Sequence, residues 1–194
     1  PTKHYYDYGL INQEAFQNEL LKTCKGIQWL NETAKLIKSE NKISEVICSS
    51  GLKLKARLVI DASGHKSKFI KRPFLKEVAQ QAAYGIVGKF STPPVKKDQF
   101  VLMDFRSDHL EDEELLKSPS FLYAMDLGSE TYFVEETSLA SYPSFSQDHL
   151  KKRLLSRLNN KGIKVVEIFH EENCLFPMNL PLPYKNQSVL GFGG

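Results

Sequence analysis

Three cysteines, Cys24, Cys48 and Cys174, are all that the 194 residues contain. Their odd number and distant spacing exclude a disulfide-stapled scaffold and favour a reducing compartment. No C-x-x-C or His-x-x-x-His pair occurs, so spacing gives no metal site. The phosphate-cradling GxGxxG pattern is missing as well. Charge of one sign is scarce: 26 basic residues face 23 acidic ones, a net charge of +3. Nucleic-acid binding would need a concentrated basic face, which this balance does not supply. No apolar run approaches the length of a membrane span. The opening PTKHYYDYG has the features of neither a signal peptide nor a transit peptide.

What is present is the pattern of a mixed α/β chain in which antiparallel hairpins dominate. Asn12 is a candidate helix cap, followed by Phe16, Leu20, Leu21 and Cys24 on one helical face, with Gly26 ending the run. Residues 35–38, 43–48 and 52–60 read as a three-stranded meander. In the last of these, Leu52, Leu54, Ala56, Leu58 and Ile60 alternate with Lys53, Lys55 and Arg57, and the basic trio reads as a solvated face. The stretch 71–98 holds three prolines and reads as irregular. Strands are expected at 99–105, 121–127 and 131–137, the last two joined by the turn Gly128-Ser129-Glu130. Glu111–Glu114 between them reads as a solvated helix start. Ser144 or Ser146 then caps a helix with Leu150, Leu154, Leu155 and Leu158 inward. Its Lys151, Lys152, Arg153 and Arg157 suit the outer face, and Gly162 ends it. Residues 163–169 and 173–177 read as two further strands. The closing SVLGFGG (188–194) reads as a strand entering a turn, and the chain is expected to be an internal piece of a longer protein.

Three segments could carry chemistry. RLVIDASGHKS (57–67) is an apolar strand ending in Asp61 and Gly64, where small residues let a ligand's phosphate or another backbone come close. A strand followed by a plain turn fits it equally well. In YFVEETSLA (132–140), strand alternation sends Glu135 and Glu136 to opposite faces. A carboxyl in an apolar pocket holds its proton to higher pH and can donate it near neutrality. Spacing alone favours two ordinary surface glutamates. The nearby Phe121, Tyr123, Met125, Tyr132 and Phe133 could line an apolar site, although plain core is the default for such residues. In MDFRSDHL (103–110), Asp104 and Arg106 suit a loop-holding pair, and His109 could carry a proton, although a lone histidine more often has a structural role.

FLYAMDLGSETYFVEETSLASYP (121–143) resembles the signature stretch of the lycopene cyclases of plant and cyanobacterial type. MDFRSDHL resembles that family's MDWRDxHL block, with Phe105 in place of its tryptophan. YGLINQEAFQNEL (8–20), LVIDASG (58–64), AAYGI (82–86), CLFPMNLPLP (174–183) and VLGFGG (189–194) match in order and spacing, so the resemblance covers essentially the whole chain.

The resemblance implies part of a FAD-binding fold of glutathione-reductase type, joined to an antiparallel substrate-binding sheet. Residues 1–70 would belong to the FAD-binding domain, 71–180 to the substrate sheet with a helix at 146–160, and 181–194 to a return into the first domain. Asp61 and Gly64 would belong to one flavin-associated motif, and Gly191, Gly193 and Gly194 to another. The implied reaction is an isomerisation by an intramolecular lyase, using reduced FAD with NADPH as reductant. The linear ends of lycopene, then of a monocyclic carotene, would be closed to rings after protonation. Glu135 matches the family's essential acid, and Glu136 is the weaker candidate. Tyr123, Met125 and Phe133 would contact substrate. FVEETSL looks more like the β-ring than the ε-ring members. The implied location is peripheral, at the cytoplasmic face of a membrane or on a thylakoid or plastid membrane. Two other readings remain. One is a monooxygenase or isoprenoid reductase of the same fold, and the other is an inactive carotenoid- or lipid-binding fragment.

Overall fold

A computed structural model describes residues 7–193. The protein is a mixed α/β chain with largely antiparallel sheets, and it divides into two compact units. One runs to Ala62 and takes in Asn186–Phe192; the other is built on Ser63–Lys185.

The first unit begins with α1 (Gln13–Thr23). Asn12 caps it as expected, its Oδ1 accepting from the Ala15 amide at 2.9 Å. The helical face of Phe16, Leu20 and Leu21 is exposed in this chain. β1 (Ala34–Glu40), β2 (Ile43–Cys48) and β3 (Lys53–Ala56) form the expected antiparallel meander. The strand expected over 52–60 is two strands. β3 pairs with β2, whereas β4 (Val59–Asp61) leaves that sheet and pairs in parallel with β10 (Val189–Gly191). The alternation runs on without a glycine or proline, so nothing local marks the break; the partner strands decide it. Leu52, Leu54, Leu58 and Ile60 are exposed here rather than half-buried.

The second unit is a five-stranded antiparallel sheet covered on one face by a helix. Its strands are β5 (Gln80–Phe90), β6 (Phe100–Asp104), β7 (Ser120–Gly128), β8 (Thr131–Ser138) and β9 (Val165–Pro177), in the spatial order β6-β7-β8-β5-β9. A short α2 (Asp112–Leu115) lies between β6 and β7 in the chain. The hairpin of β7 and β8 turns through Gly128, Ser129 and Glu130, all three with positive φ, which matches the twist of the flanking strands. α3 (Gln147–Asn160) is capped by Ser146, whose Oγ accepts from the His149 amide at 3.2 Å.

Leu150, Leu154 and Leu158 of α3 pack on Ala82, Tyr84 and Ile86 of β5, Leu122 and Ala124 of β7 and Val134 of β8. Each fully buried leucine contributes roughly 1.5–3 kcal/mol. The alternation of the strands therefore puts the even-numbered residues of β7 and β8 under α3 and the odd-numbered ones on the opposite face.

β5 corrects the reading of 71–98 as irregular. It is a central strand, buried along most of its length, so it shows a continuous run of small and apolar residues rather than alternation. β9 corrects the two strands expected at 163–169 and 173–177. It runs unbroken through the polar His170–Asn173, because it pairs along the whole of β5 and absorbs the mismatch in two register shifts.

One of these shifts lies at Gly88, where a Cβ would stand 2.0 Å from the Glu167 carbonyl oxygen. A backbone atom cannot swing aside. Gly88→Ala should destabilise the unit by about 1–3 kcal/mol or more, read as a lower midpoint in chemical denaturation. An unchanged midpoint would show that the bulge relaxes freely.

Candidate functional site

Glu135 and Glu136 are neighbours in sequence with opposite fates. Glu136 points under α3 and is 0% exposed, while its partner Arg157 is 2% exposed. Arg157 Nε donates to Glu136 Oε2 and Nη2 to Oε1, both at 2.7 Å, and Ser120 Oγ donates to Oε1 at 2.6 Å. Arg157 also donates to the Arg106 carbonyl at 2.6 Å. Arg153 is buried too. It donates to Ser120 Oγ, to the Ser118 and Glu114 carbonyls and to the Glu114 carboxylate.

The expected outer-face placement of Arg153 and Arg157 is therefore corrected. The amphipathic pattern counts charge as polar, and a guanidinium paired by a planar carboxylate can be buried. Glu114, expected to be solvated, is the carboxylate that receives Arg153. Glu136, with its oxygens accepting three donors, holds the helix to the sheet.

Glu135 lies on the opposite face. On that face Phe121, Tyr123 and Met125 come from β7, and Phe133, Glu135 and Thr137 from β8. Ala83, Gly85 and Val87 come from β5, and His170, Glu172 and Cys174 from β9. Tyr123 is directly opposite Glu135, and Met125 is opposite Phe133. The structure thus brings together Glu135, Tyr123, Met125 and Phe133, all partly buried. Phe121 packs its ring 5.0 Å from Phe105 and 5.1 Å from Tyr123, a spacing suited to edge-to-face contact.

Gly85 shapes the middle of this face. It pairs with Glu135 on one side and Glu172 on the other. A Cβ there would stand 2.7 Å from the Phe133 ring, so the ring needs a glycine beneath it. β8 and β9 are about 10 Å apart, two strand spacings. With only Ala83 and Gly85 between them, their long side chains meet above β5. One carboxyl oxygen each of Glu135 and Glu172 and the Cys174 sulfur lie within 4.8 Å of one another.

Hydrogen bonds order this cluster: Thr137 Oγ1 donates to Glu135 Oε1 at 2.7 Å, and the Cys174 thiol to Glu172 Oε1 at 3.2 Å. Burial raises the Glu135 carboxyl above its ordinary value; the Thr137 bond pulls it back, and the charge of Glu172 raises it further. Burial first, then the bond to Glu172 and the charges of Glu172 and Glu135, push the Cys174 thiol up to about 11. As it stands, the trio is two carboxyls beside a thiol that keeps its proton. Glu172, Cys174, Thr137 and Gly85 were absent from the candidates drawn from the sequence. The polar residues 170–172 read as a break between strands; strand alternation through His170, Glu172 and Cys174 is the signal that points to them.

The other candidates lie elsewhere. Asp104 and Arg106 form the expected loop clasp, with Arg106 Nε 2.9 Å from Oδ1 and Nη2 2.5 Å from Oδ2. This clasp holds the Asp104 carboxyl well below the usual range. His109 is pushed down by burial and then by Arg157. In the first unit, β4 and β10 set Asp61 against Gly191, and the Phe192 amide donates to the Asp61 carbonyl at 2.9 Å. Gly64 and Gly193 have φ of +91° and +102°, with open space where a Cβ would stand. Gly194 lies outside the described residues.

The fold is similar to part of two larger proteins of solved structure. An anhydrotetracycline hydroxylase from Streptomyces rimosus matches with a TM-score of 0.55 over 93% of this chain and 35% of that one, at 11% identity. A Diels-Alderase of pyrroindomycin biosynthesis matches at 0.52, over 84% and 34%, also at 11%. These likenesses concern the fold. The family is settled by sequence: residues 1–194 match the profile of the lycopene cyclase proteins, and the chain belongs to that family. It is 53% identical to the lycopene beta cyclase of Synechococcus elongatus, over 100% of this chain and 48% of that protein. It is 35% identical to the chloroplastic lycopene beta cyclase of Solanum lycopersicum, over 96% and 39%. A chromoplastic capsanthin/capsorubin synthase of Citrus sinensis matches at 36%, over 96% and 39%. The chain spans about half the length, or less, of these relatives.

The two glutamates should separate in stability. Glu136→Ala leaves Arg157 buried without its partner and should cost about 3–5 kcal/mol. Glu135→Ala leaves no cation stranded and should cost less than half as much. Denaturant titration of both variants checks this, and equal losses would contradict the assignment of Glu136 as the structural member.

Proposed function

We propose that the protein is a lycopene β-cyclase, an isomerase that closes the linear ends of lycopene to β-ionone rings by way of γ-carotene to β-carotene, with Glu135 as the acid. The observation that carries this reading is the placement of Glu135. Its carboxyl has a raised proton affinity and stands among Tyr123, Met125 and Phe133, while Glu136 is committed to Arg157.

Glu135 gives its proton to a carbon of the terminal double bond. The neighbouring double bond attacks the resulting cation and closes a six-membered ring. Loss of one proton completes the product, so the reaction carries no net redox change. The faces of Tyr123 and Phe133 stabilise a cation without forming a bond to it. A partly dry surface keeps water from trapping the cation.

Asp61, Gly64, Gly191 and Gly193, with Gly194 beyond the described residues, are the positions we assign to FAD. The fit rests on Asp61 beside Gly191 and on two left-handed glycines with open space where side chains would be. Reduced FAD, kept so by NADPH, would supply stabilisation of the cation. The substrate is a C40 hydrocarbon that dissolves in bilayers. No helix among the described residues is long and apolar enough to cross a membrane. We assign a peripheral position at the cytoplasmic face of a membrane or on a thylakoid or plastid membrane, in keeping with the chloroplastic names of the plant relatives.

Lycopene-accumulating cells expressing the full-length protein should turn lycopene into β-carotene. Pigment chromatography should show Glu135→Gln with lycopene only, at a normal protein level. Cyclisation by that variant would remove Glu135 from the acid role, and an ε-ring product would correct the ring type. The pH dependence has a definite sign. The donor must be protonated, so activity holds below the raised value of Glu135 and falls as pH rises through it.

A further inference from the structure

We propose that Glu172 is a positioning residue that keeps the proton on Glu135, the two carboxyls holding one proton between them across β5. This deepens the acid reading above and rests on it.

Three features of the geometry converge on the pair. Gly85 pairs with both residues and carries no side chain to hold them apart, although the Phe133 ring lies over it. One oxygen of each carboxyl lies within 4.8 Å of the other, a separation at which a charge on one disfavours a charge on the second. The donors around them are unequal. Cys174 gives its thiol hydrogen to Glu172 Oε1, an arrangement that suits a carboxylate. Thr137 occupies Glu135 Oε1, leaving Oε2 to carry the proton. The titratable groups facing Glu135 are Tyr123 from β7 and His170, Glu172 and Cys174 from β9; β5 offers only Ala83, Gly85 and Val87 there.

The proton balance is simple. One proton leaves Glu135 for the substrate carbon, one is released when the ring is completed, and one is restored to the pair. Glu172 does not touch the reacting atoms. Its charge ensures that Glu135 is loaded when substrate arrives.

The test is the alkaline limb of the activity profile of the full-length protein. Glu172→Gln removes the charge, and the limb should move down by up to about one pH unit. Activity above the limb should then fall by up to about tenfold and return when the pH is lowered, with KM little changed. Glu172→Asp should restore much of the original profile. An unmoved limb overturns the proposal.

Infrared titration of the wild type against Glu135→Gln carries the test even if Glu172→Gln fails to accumulate. A proton-sharing pair titrates in two separated carboxyl steps, which Glu135→Gln replaces by one ordinary step. A single ordinary step in the wild type overturns the pair. If Glu135→Gln still cyclises lycopene, the acid reading fails, and the infrared steps judge the pair independently of it.

Discussion

The buried pair of Glu136 and Arg157 is the constraint on which the sheet's chemistry depends. A carboxylate at the centre of the sheet is tied by two guanidinium bonds to the helix that covers it. The same guanidinium holds the Arg106 carbonyl, so the Asp104–Arg106 loop is fixed as well. Ser120 links Glu136 to Arg153, which in turn holds the segment around Glu114. Removing one member strands a charge where water cannot reach it. The network also sets which face of β8 is which. With Glu136 anchored under α3, Glu135 must face the other way.

That second face has a different economy. Its polar groups are few, and they neighbour one another rather than a cation. Burial and a neighbouring carboxylate act in the same direction on Glu135 and favour its protonated form. Aromatic rings border it on the β7 side and a thiol on the β9 side. Gly85 makes the arrangement possible because any side chain there would collide with Phe133. One sheet thus holds an ionic face for cohesion and a face on which two carboxyls and a thiol lie together.

Much of this was legible in the sequence, and the failures have physical reasons. The caps at Asn12 and Ser146, the turn at Gly128 and the hairpin of β7 and β8 rest on local rules and appear as expected. β5 was missed because a strand buried on both faces has no alternation to read. β9 was split because its polar middle looks like a turn until a long partner strand is laid beside it. Helical periodicity puts Arg153 and Arg157 outside because it carries no information about a carboxylate beneath the helix. Asp61 and Gly191 were singled out separately, and only the parallel pairing of β4 with β10 sets them side by side.

The sequence by itself determined the family, the meander, the hairpin and the rule that two adjacent glutamates on a strand must part to opposite faces. These follow from short-range geometry and from strings of residues that survive without their surroundings. Only the tertiary structure decided which glutamate meets an arginine and which meets a second carboxylate. Glu135 and Glu172 are 37 positions apart in the chain, and nothing local relates them. They meet because β5 enters between their strands with a glycine at the crossing point, and strand order is set by burial over the whole sheet rather than by neighbouring residues.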